Sequence, residues 1–220
     1  MKLSKLVYQC VKNVIYFDDT SFSYEAFVHG DFDNNVDYAN NINNVFAPIN
    51  EAIARLSDLE RIPYRVEECT IVEDIIKLNE CDYPVKEVIS VAQGSYRGFV
   101  KLIHRPFGLG NIYVYDYNPY ARTFIEYKED IPMFNSTYYS YTNSDYLSFD
   151  EKDTELRDYG ISDSMCNYII EYVMGRLYEA TSAEIANMHI TRAEQYFSGI
   201  KSVTSAFVQK VVRNTYAVGE

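Results

Sequence analysis

The chain has 220 residues, 32 of them Asp or Glu against 20 Lys or Arg, for a formal net charge of −12. That length allows one or two compact domains with a substantial core, and 47% hydrophobic with 24% charged residues excludes wholesale disorder and a collagen-like chain. The acidic balance argues against a protein that wraps a phosphate backbone, because counterion release needs clustered Lys and Arg. There are 22 Tyr and 12 Phe but no Trp, so much of the aromatic area carries a hydroxyl that needs a partner or water.

In chain order, Leu3, Leu6, Val7, Cys10, Val11, Val14 and Ile15 fall at helical spacing and predict an amphipathic helix. Its Lys2, Lys5 and Lys12 interrupt any continuous apolar run, which argues against a secretory leader. No stretch of about 18 uninterrupted apolar residues follows, so no membrane span is expected. Asp18 to Asn35 reads as a polar loop with Phe22, Tyr24, Phe27 and Phe32 set into it. From Val36 a second helical period carries Tyr38, Ile42, Val45, Ile49, Ile53, Leu56 and Leu59. Pro48 predicts a kink or break inside it, and the Asn-rich stretch from Asn34 to Asn44 predicts a late start.

The middle third changes character. Arg65 to Leu78, Val85 to Gln93, Phe99 to His104, Ile112 to Tyr117 and Thr123 to Tyr127 are rich in Val, Ile, Tyr and Phe, and their alternation predicts strands. Turns are marked by Pro106, Gly108 and Gly110 and by Tyr117-Asn118-Pro119-Tyr120. Ile131 to Tyr159 is irregular, polar and tyrosine-rich. A helix capped by Ser162 or Asp163 follows, with Met165, Ile169, Tyr172, Val173, Leu177 and Ala180 on its stripe. Thr181 with Glu184 reads as the capping box of a last helix bearing Ile185, Met188, His189, Ala193, Tyr196 and Phe197 and ending near Gly199. The short connection makes the pair an antiparallel hairpin.

The predicted fold is therefore α+β and mainly helical. It has N-terminal helices over residues 1–64, a central antiparallel β insertion over 65–130, an irregular loop over 131–160, a C-terminal helix hairpin over 161–200 and an extended C-terminal arm over 201–220.

Chemical motifs are sparse. Asp31, Asp33 and Asn35 have the oxygen spacing that opens a calcium loop, but Val36 stands where the turn glycine belongs and Ile42 where a bidentate glutamate belongs, so the stretch reads as a solvated loop. Gly108 and Gly110 form a GxG with no third glycine and no following helix, which is a turn and not a dinucleotide site. Gly94-Ser95-Tyr96-Arg97-Gly98 lacks nucleophile-elbow spacing. The pairs Asp18 with Asp19, Glu67 with Glu68, and Glu73 with Asp74 are adjacent in sequence and so do not share a face. His104 could serve as a strand-end base but has no evident nucleophile or orienting acid, and His189 reads as a packing residue. Cys10, Cys69, Cys81 and Cys166 form no CxxC pair and read as free thiols; no metal, cofactor or catalytic residue is expected.

The stretch Met165 to Ser202, MCNYIIEYVMGRLYEATSAEIANMHITRAEQYFSGIKS, resembles the end of the head-to-tail adaptor or connector ring proteins of short-tailed phages, the tail tubular protein A family. The opening helix Leu3 to Ile15 and the β insertion between helices agree with that family in length and order, and the Asn and Tyr richness of the middle is similar to ring proteins of crAss-like phages. The resemblance implies a non-enzymatic structural virion protein, assembled in the host cytoplasm. Its partners would be its own copies in a ring, typically a dodecamer, the portal protein, and a tail or second ring protein, with no membrane. Lys201 to Glu220 would be the portal-contacting arm. An acidic lumen would let DNA pass without holding it, since like charges oppose close approach. A different reading of the same residues is a tyrosine-rich β module for a ligand or glycan, with Tyr113, Tyr115, Tyr117 and Tyr120 as its candidates.

Overall fold

The computed structural model describes residues 1–14, 23, 24, 27, 36–95, 98–135 and 153–207. The loop read at Asp18 to Asn35, with the Asp18 and Asp19 pair and the Asp31, Asp33 and Asn35 oxygens, lies outside them except at Ser23, Tyr24 and Phe27. So do residues 136–152 of the irregular stretch and residues 208–220 of the arm.

Among the described residues there are four α-helices: α1 (Leu3–Val14), α2 (Val36–Asp58), α3 (Asp163–Tyr178) and α4 (Ala183–Gly199). Seven strands lie between α2 and α3: β1 (Arg65–Cys69), β2 (Ile75–Lys77), β3 (Val85–Ser95), β4 (Gly98–Leu102), β5 (His104–Pro106), β6 (Asn111–Val114) and β7 (Thr123–Glu129). The expectation of a mainly helical protein is therefore wrong. The strands do not decorate a helical body: they pair into two antiparallel sheets that enclose an apolar cluster of their own. The chain is α+β and divides into two compact units, a helical one from Met1–Ile62 and Pro132–Val203, and a β one from Pro63–Ile131 that also takes residues 204–207.

In the helical unit α3 is the central element. Met165, Cys166, Tyr168, Ile169, Tyr172, Val173 and Met174 are all buried, a wider set than one amphipathic stripe, because α1, α2 and α4 all pack on it. Ser162 is its N-cap, with its hydroxyl accepting from the Met165 amide at 3.4 Å. The α3–α4 pair is antiparallel: Tyr178 stacks on His189 with 5.8 Å between centroids, while Tyr168, ten residues earlier, meets Phe197 at 5.3 Å. The cap of α4 is Ser182, accepting from the Ile185 amide at 3.4 Å, and not Thr181, whose hydroxyl instead lies 3.4 Å from the Tyr178 carbonyl at the end of α3. The expected α4 stripe is also shifted. Met188 and Tyr196 are exposed, whereas Ala186, Ala193 and Phe197 are buried.

The α2 helix starts at Val36, before the Asn-rich stretch has ended, and runs through Pro48. Proline removes one backbone bond there, but Val45, Phe46, Ile49, Ala52 and Ile53 around it are buried and supply packing that the missing bond does not outweigh. Leu59, expected on the buried side, is exposed beyond the helix end. The α1 helix is tied down from far along the chain. Asp153, buried, accepts from the Ser4 amide at 3.1 Å and from the Ser4 hydroxyl, while the Leu3 amide donates to the Thr154 carbonyl at 2.9 Å. These bonds satisfy amides that a helix start leaves without partners.

In the β unit the four-stranded sheet has the order β1-β7-β3-β4 and the three-stranded sheet β2-β6-β5. Val91, Ile125 and Tyr127 from the first meet Ile76, Ile112 and Val114 from the second in the shared core. Two runs that read as single strands are each split between the sheets. Arg65 to Leu78 breaks at Glu73 and Asp74, both left-handed with φ of 52° and 66°, and Phe99 to His104 breaks at the exposed Ile103.

Candidate functional site

Tyr113 of β6 and Tyr115 just beyond its end are positioned by simple alternation. Ile112 and Val114 point into the core, 3% and 1% exposed, so Tyr113 and Tyr115 must face outward. Their rings meet edge to face, with centroids 4.8 Å apart at 64°. β5 lies beside β6 in a register that sets Arg105 opposite Tyr113, and its guanidinium carbon sits 5.5 Å and 5.8 Å from the Tyr113 and Tyr115 centroids. Each such cation–π contact is worth about 0.5–1 kcal/mol at an exposed position. Phe107 extends the cluster, 6.2 Å from Tyr113. The Tyr113 hydroxyl donates to Asp74 Oδ2 at 3.0 Å, a bond that raises the phenol's pKa above its ordinary value. The result is an outward face with aromatic walls, a guanidinium and a carboxylate, able to stack a ring and to hydrogen-bond its substituents.

Tyr117 and Tyr120 belong elsewhere. They sit on the β6–β7 turn, where with Glu68, Cys69, Ile71 and Arg122 they line an open groove of about 270 Å³. Tyr120 is 96% exposed. Arg122 grips Glu68 with Nε to Oε1 at 3.0 Å and Nη2 to Oε2 at 2.5 Å, a bidentate pair that lowers the Glu68 pKa. The four tyrosines singled out in the sequence therefore form two places, not one. Arg105, Phe107 and Asp74 join Tyr113 through sheet register and through the left-handed turn at Asp74, neither of which is visible in residue spacing.

His104 Nδ1 lies 3.3 Å from the Leu102 carbonyl oxygen, a local contact on its own run of chain. His189 Nδ1 is 2.7 Å from Glu171 Oε2 across the α3–α4 pair. Glu67 and Glu68 stand opposite Ile125 and Phe124 in the ladder, hence on opposite faces of the sheet. Asp74 holds Tyr113, and the Gly108 and Gly110 of the GxG take positive φ in the β5–β6 turn. Cys10, Cys69, Cys81 and Cys166 are free. Burial pushes the Cys166 thiol up to about 11 and those of Cys69 and Cys81 up to about 12, so they are poor thiolates. Among the described residues no group of three or more His, Cys, Asp or Glu could hold a metal ion, and no helix is long and apolar enough to cross a membrane.

Comparison with known proteins adds no assignment: no protein-family model matches the chain, and no curated protein matches it.

Proposed function

We infer that the chain is a structural, non-enzymatic subunit of an oligomeric ring of the kind that joins a phage portal to its tail. The observation that carries this reading is the run of exposed large apolar residues from β4 to the β5–β6 turn. Phe99, Val100, Ile103, Phe107 and Leu109 are between 46% and 100% exposed within one short stretch of chain. Apolar side chains exposed to this extent gain by burial against a partner, and a ring supplies one with a different face of the next copy. Aromatic residues suit the centres of such contacts. The charge of −12 fits a lumen that repels DNA. The test is imaging and mass measurement of the purified protein, alone and with a portal. Rings that dock on the portal and carry an acidic lumen are expected. A monodisperse monomer that never joins the portal, or a basic lumen, overturns the reading.

A second reading, a ligand- or glycan-binding β module, is favoured by the Tyr113, Tyr115 and Arg105 cluster. With no Trp, the chain's fluorescence comes from its 22 tyrosines, so a ligand-induced change is assigned to this cluster by its loss on substitution. Saturable quenching by a glycan, abolished by Tyr115→Ala, would support it, and its absence across a glycan panel would oppose it.

A further inference from the structure

The outer face of the four-stranded sheet carries a trough. Alternation along β3 brings Ser90, Ala92 and Gly94 to that face, and the ladder sets Ser90 opposite Glu126, Ala92 opposite both Phe124 and Lys101, and Gly94 opposite Phe99. Small residues thus floor the trough, and Phe99, Lys101, Phe124 and Glu126 wall it. Lying in it is a piece of the chain itself. Ser205 donates through its hydroxyl to Glu126 Oε2 at 2.5 Å, and the Ala206 amide donates to Oε1 at 2.6 Å. Phe207 is 4% exposed, with its ring 4.8 Å from Phe99 and 6.4 Å from Phe124. The Ser205 oxygen in turn accepts from the Phe207 amide at 3.2 Å and from Lys101 Nζ at 3.4 Å.

Glu126 is the key to what this trough does. It is 1% exposed, and its remaining partner on the sheet is the Ser90 hydroxyl at 2.7 Å. A carboxylate in such a place is costly unless its oxygens are bonded, and two of these three bonds come from residues 205 and 206. The site is therefore built for a short segment of stated pattern: a hydroxyl residue, a free backbone amide one position later, and an aromatic ring one position after that. We propose that this trough is a peptide-binding site and that it takes Ser205-Ala206-Phe207 from a second copy of the chain as well as from its own. The segment is present in every copy, and it bonds through a hydroxyl, one amide and one ring, so a neighbour's segment can replace it bond for bond. The charge of the segment itself does not oppose its docking on an acidic neighbour. Residues 201–220 carry Lys201, Lys210 and Arg213 against Glu220 alone, in a chain whose net charge is −12. Exchange of an identical element between copies is a low-cost route to association.

The site's existence does not depend on a ring, and the experiment separates the two. A labelled, amidated peptide of residues 201–207 is titrated into the full chain carrying Ser205→Ala and Phe207→Ala, which removes the hydroxyl and the ring of the tethered segment and leaves the residues of the trough walls unchanged. Saturable binding is expected, weakened at least about 10-fold by adding Glu126→Gln, and weaker in the wild-type chain because the tethered segment competes at an effective concentration in the millimolar range. Exchange is read by placing a photo-reactive benzoyl-phenylalanine at position 207 and mixing isotopically labelled with unlabelled full-length chains. Mixed-isotope cross-links from residue 207 to the peptides containing Phe99 or Phe124 are expected. No saturable peptide binding, binding indifferent to Glu126→Gln, or cross-links confined to single copies at every concentration overturns the proposal. Rings with single-copy links only would leave the ring reading standing while this one fails, and mixed links without rings would do the reverse.

Discussion

Gly175 decides how closely α3 and α4 approach, and replacing it tests the packing of the hairpin directly. A methyl group at that position would lie 2.5 Å from Ile190 Cδ1, 2.6 Å from Cγ1 and 3.3 Å from the Ile190 backbone nitrogen. Relaxed carbon contacts are about 3.5–4.0 Å, so the overlap is on the order of 1 Å. Rotating the tip of Ile190 cannot relieve it, since Cγ1 and the backbone are engaged as well. Overpacking of this kind costs about 1–3 kcal/mol. Against it stands the gain of about 1 kcal/mol for alanine over glycine in a helix interior. Gly175→Ala should therefore destabilise by about 1 kcal/mol, rising to about 2 kcal/mol if α4 cannot shift. In an Ile190→Ala background the two side-chain overlaps are gone, only the 3.3 Å approach to the backbone nitrogen is left, and the propensity remains, so the same substitution should stabilise by up to about 1 kcal/mol. Urea unfolding of the four proteins of this cycle, followed by far-UV circular dichroism, measures the reversal as a coupling of about 2 kcal/mol. A Gly175→Ala change that raises the midpoint in both backgrounds would refute the close approach.

Three further outcomes follow from individual contacts. Burial holds the Asp153 carboxyl above its ordinary pKa against the opposing pull of Ser4, so its favourable contribution is present at acid pH and lost as pH rises through the raised folded value. Asp153→Asn should thus unfold at higher urea than the wild type near neutral pH, with the gap closing as pH is lowered, and a gap indifferent to pH would contradict this. Arg65 pairs with Glu129 at 2.7 Å, and Glu129 is nearly inaccessible, so Arg65→Met should cost about 3–5 kcal/mol by stranding a buried charge, while Arg65→Met with Glu129→Leu recovers most of it in the same unfolding assay. Ile103→Asp with Leu109→Asp, at positions 70% and 100% exposed, should change stability by no more than about 0.5 kcal/mol each yet abolish ring assembly in the proposed function, as read by native mass spectrometry.

Helix positions were legible because each helix has an apolar period. The α1 stripe Leu3, Leu6, Val7, Cys10 and Val11 is fully buried or nearly so. Helix surroundings were less legible. A stripe implies one partner, and α3 has three, so Cys166, Tyr168 and Met174 are buried outside the stripe. In α4 it is Ile190 that closes on Gly175 of α3, and the buried Ala186 and Ala193 weigh little in a hydrophobic pattern that large exposed residues such as Met188 and Tyr196 dominate. Pro48 shows the same limit from the other side: a local helix-breaking signal was outweighed by tertiary burial along α2.

In the β unit, period two told which residues alternate but not which sheet each strand joins. β1 and β2 read as one run, as did β4 and β5, and the breaks at Asp74 and Ile103 assign their halves to different sheets. That assignment separates the functional candidates. Tyr113 and Tyr115 lie on the outer face of one sheet, while the Glu126 trough lies on the outer face of the other. The trough left no sequence signal because its parts are ordinary singly: a serine, an alanine and a glycine two apart on β3, and a glutamate that reads as one more surface acid. Glu126 becomes distinctive only when the register places it opposite Ser90 and the chain returns, some 80 residues later, with Ser205 and Ala206 to complete its bonds. The segment read as the root of a free arm is thus held by the β unit as far as Phe207. Any contact made by the residues beyond starts from a point held by the buried Glu126 carboxylate and by the packing of Phe207 on Phe99 and Phe124.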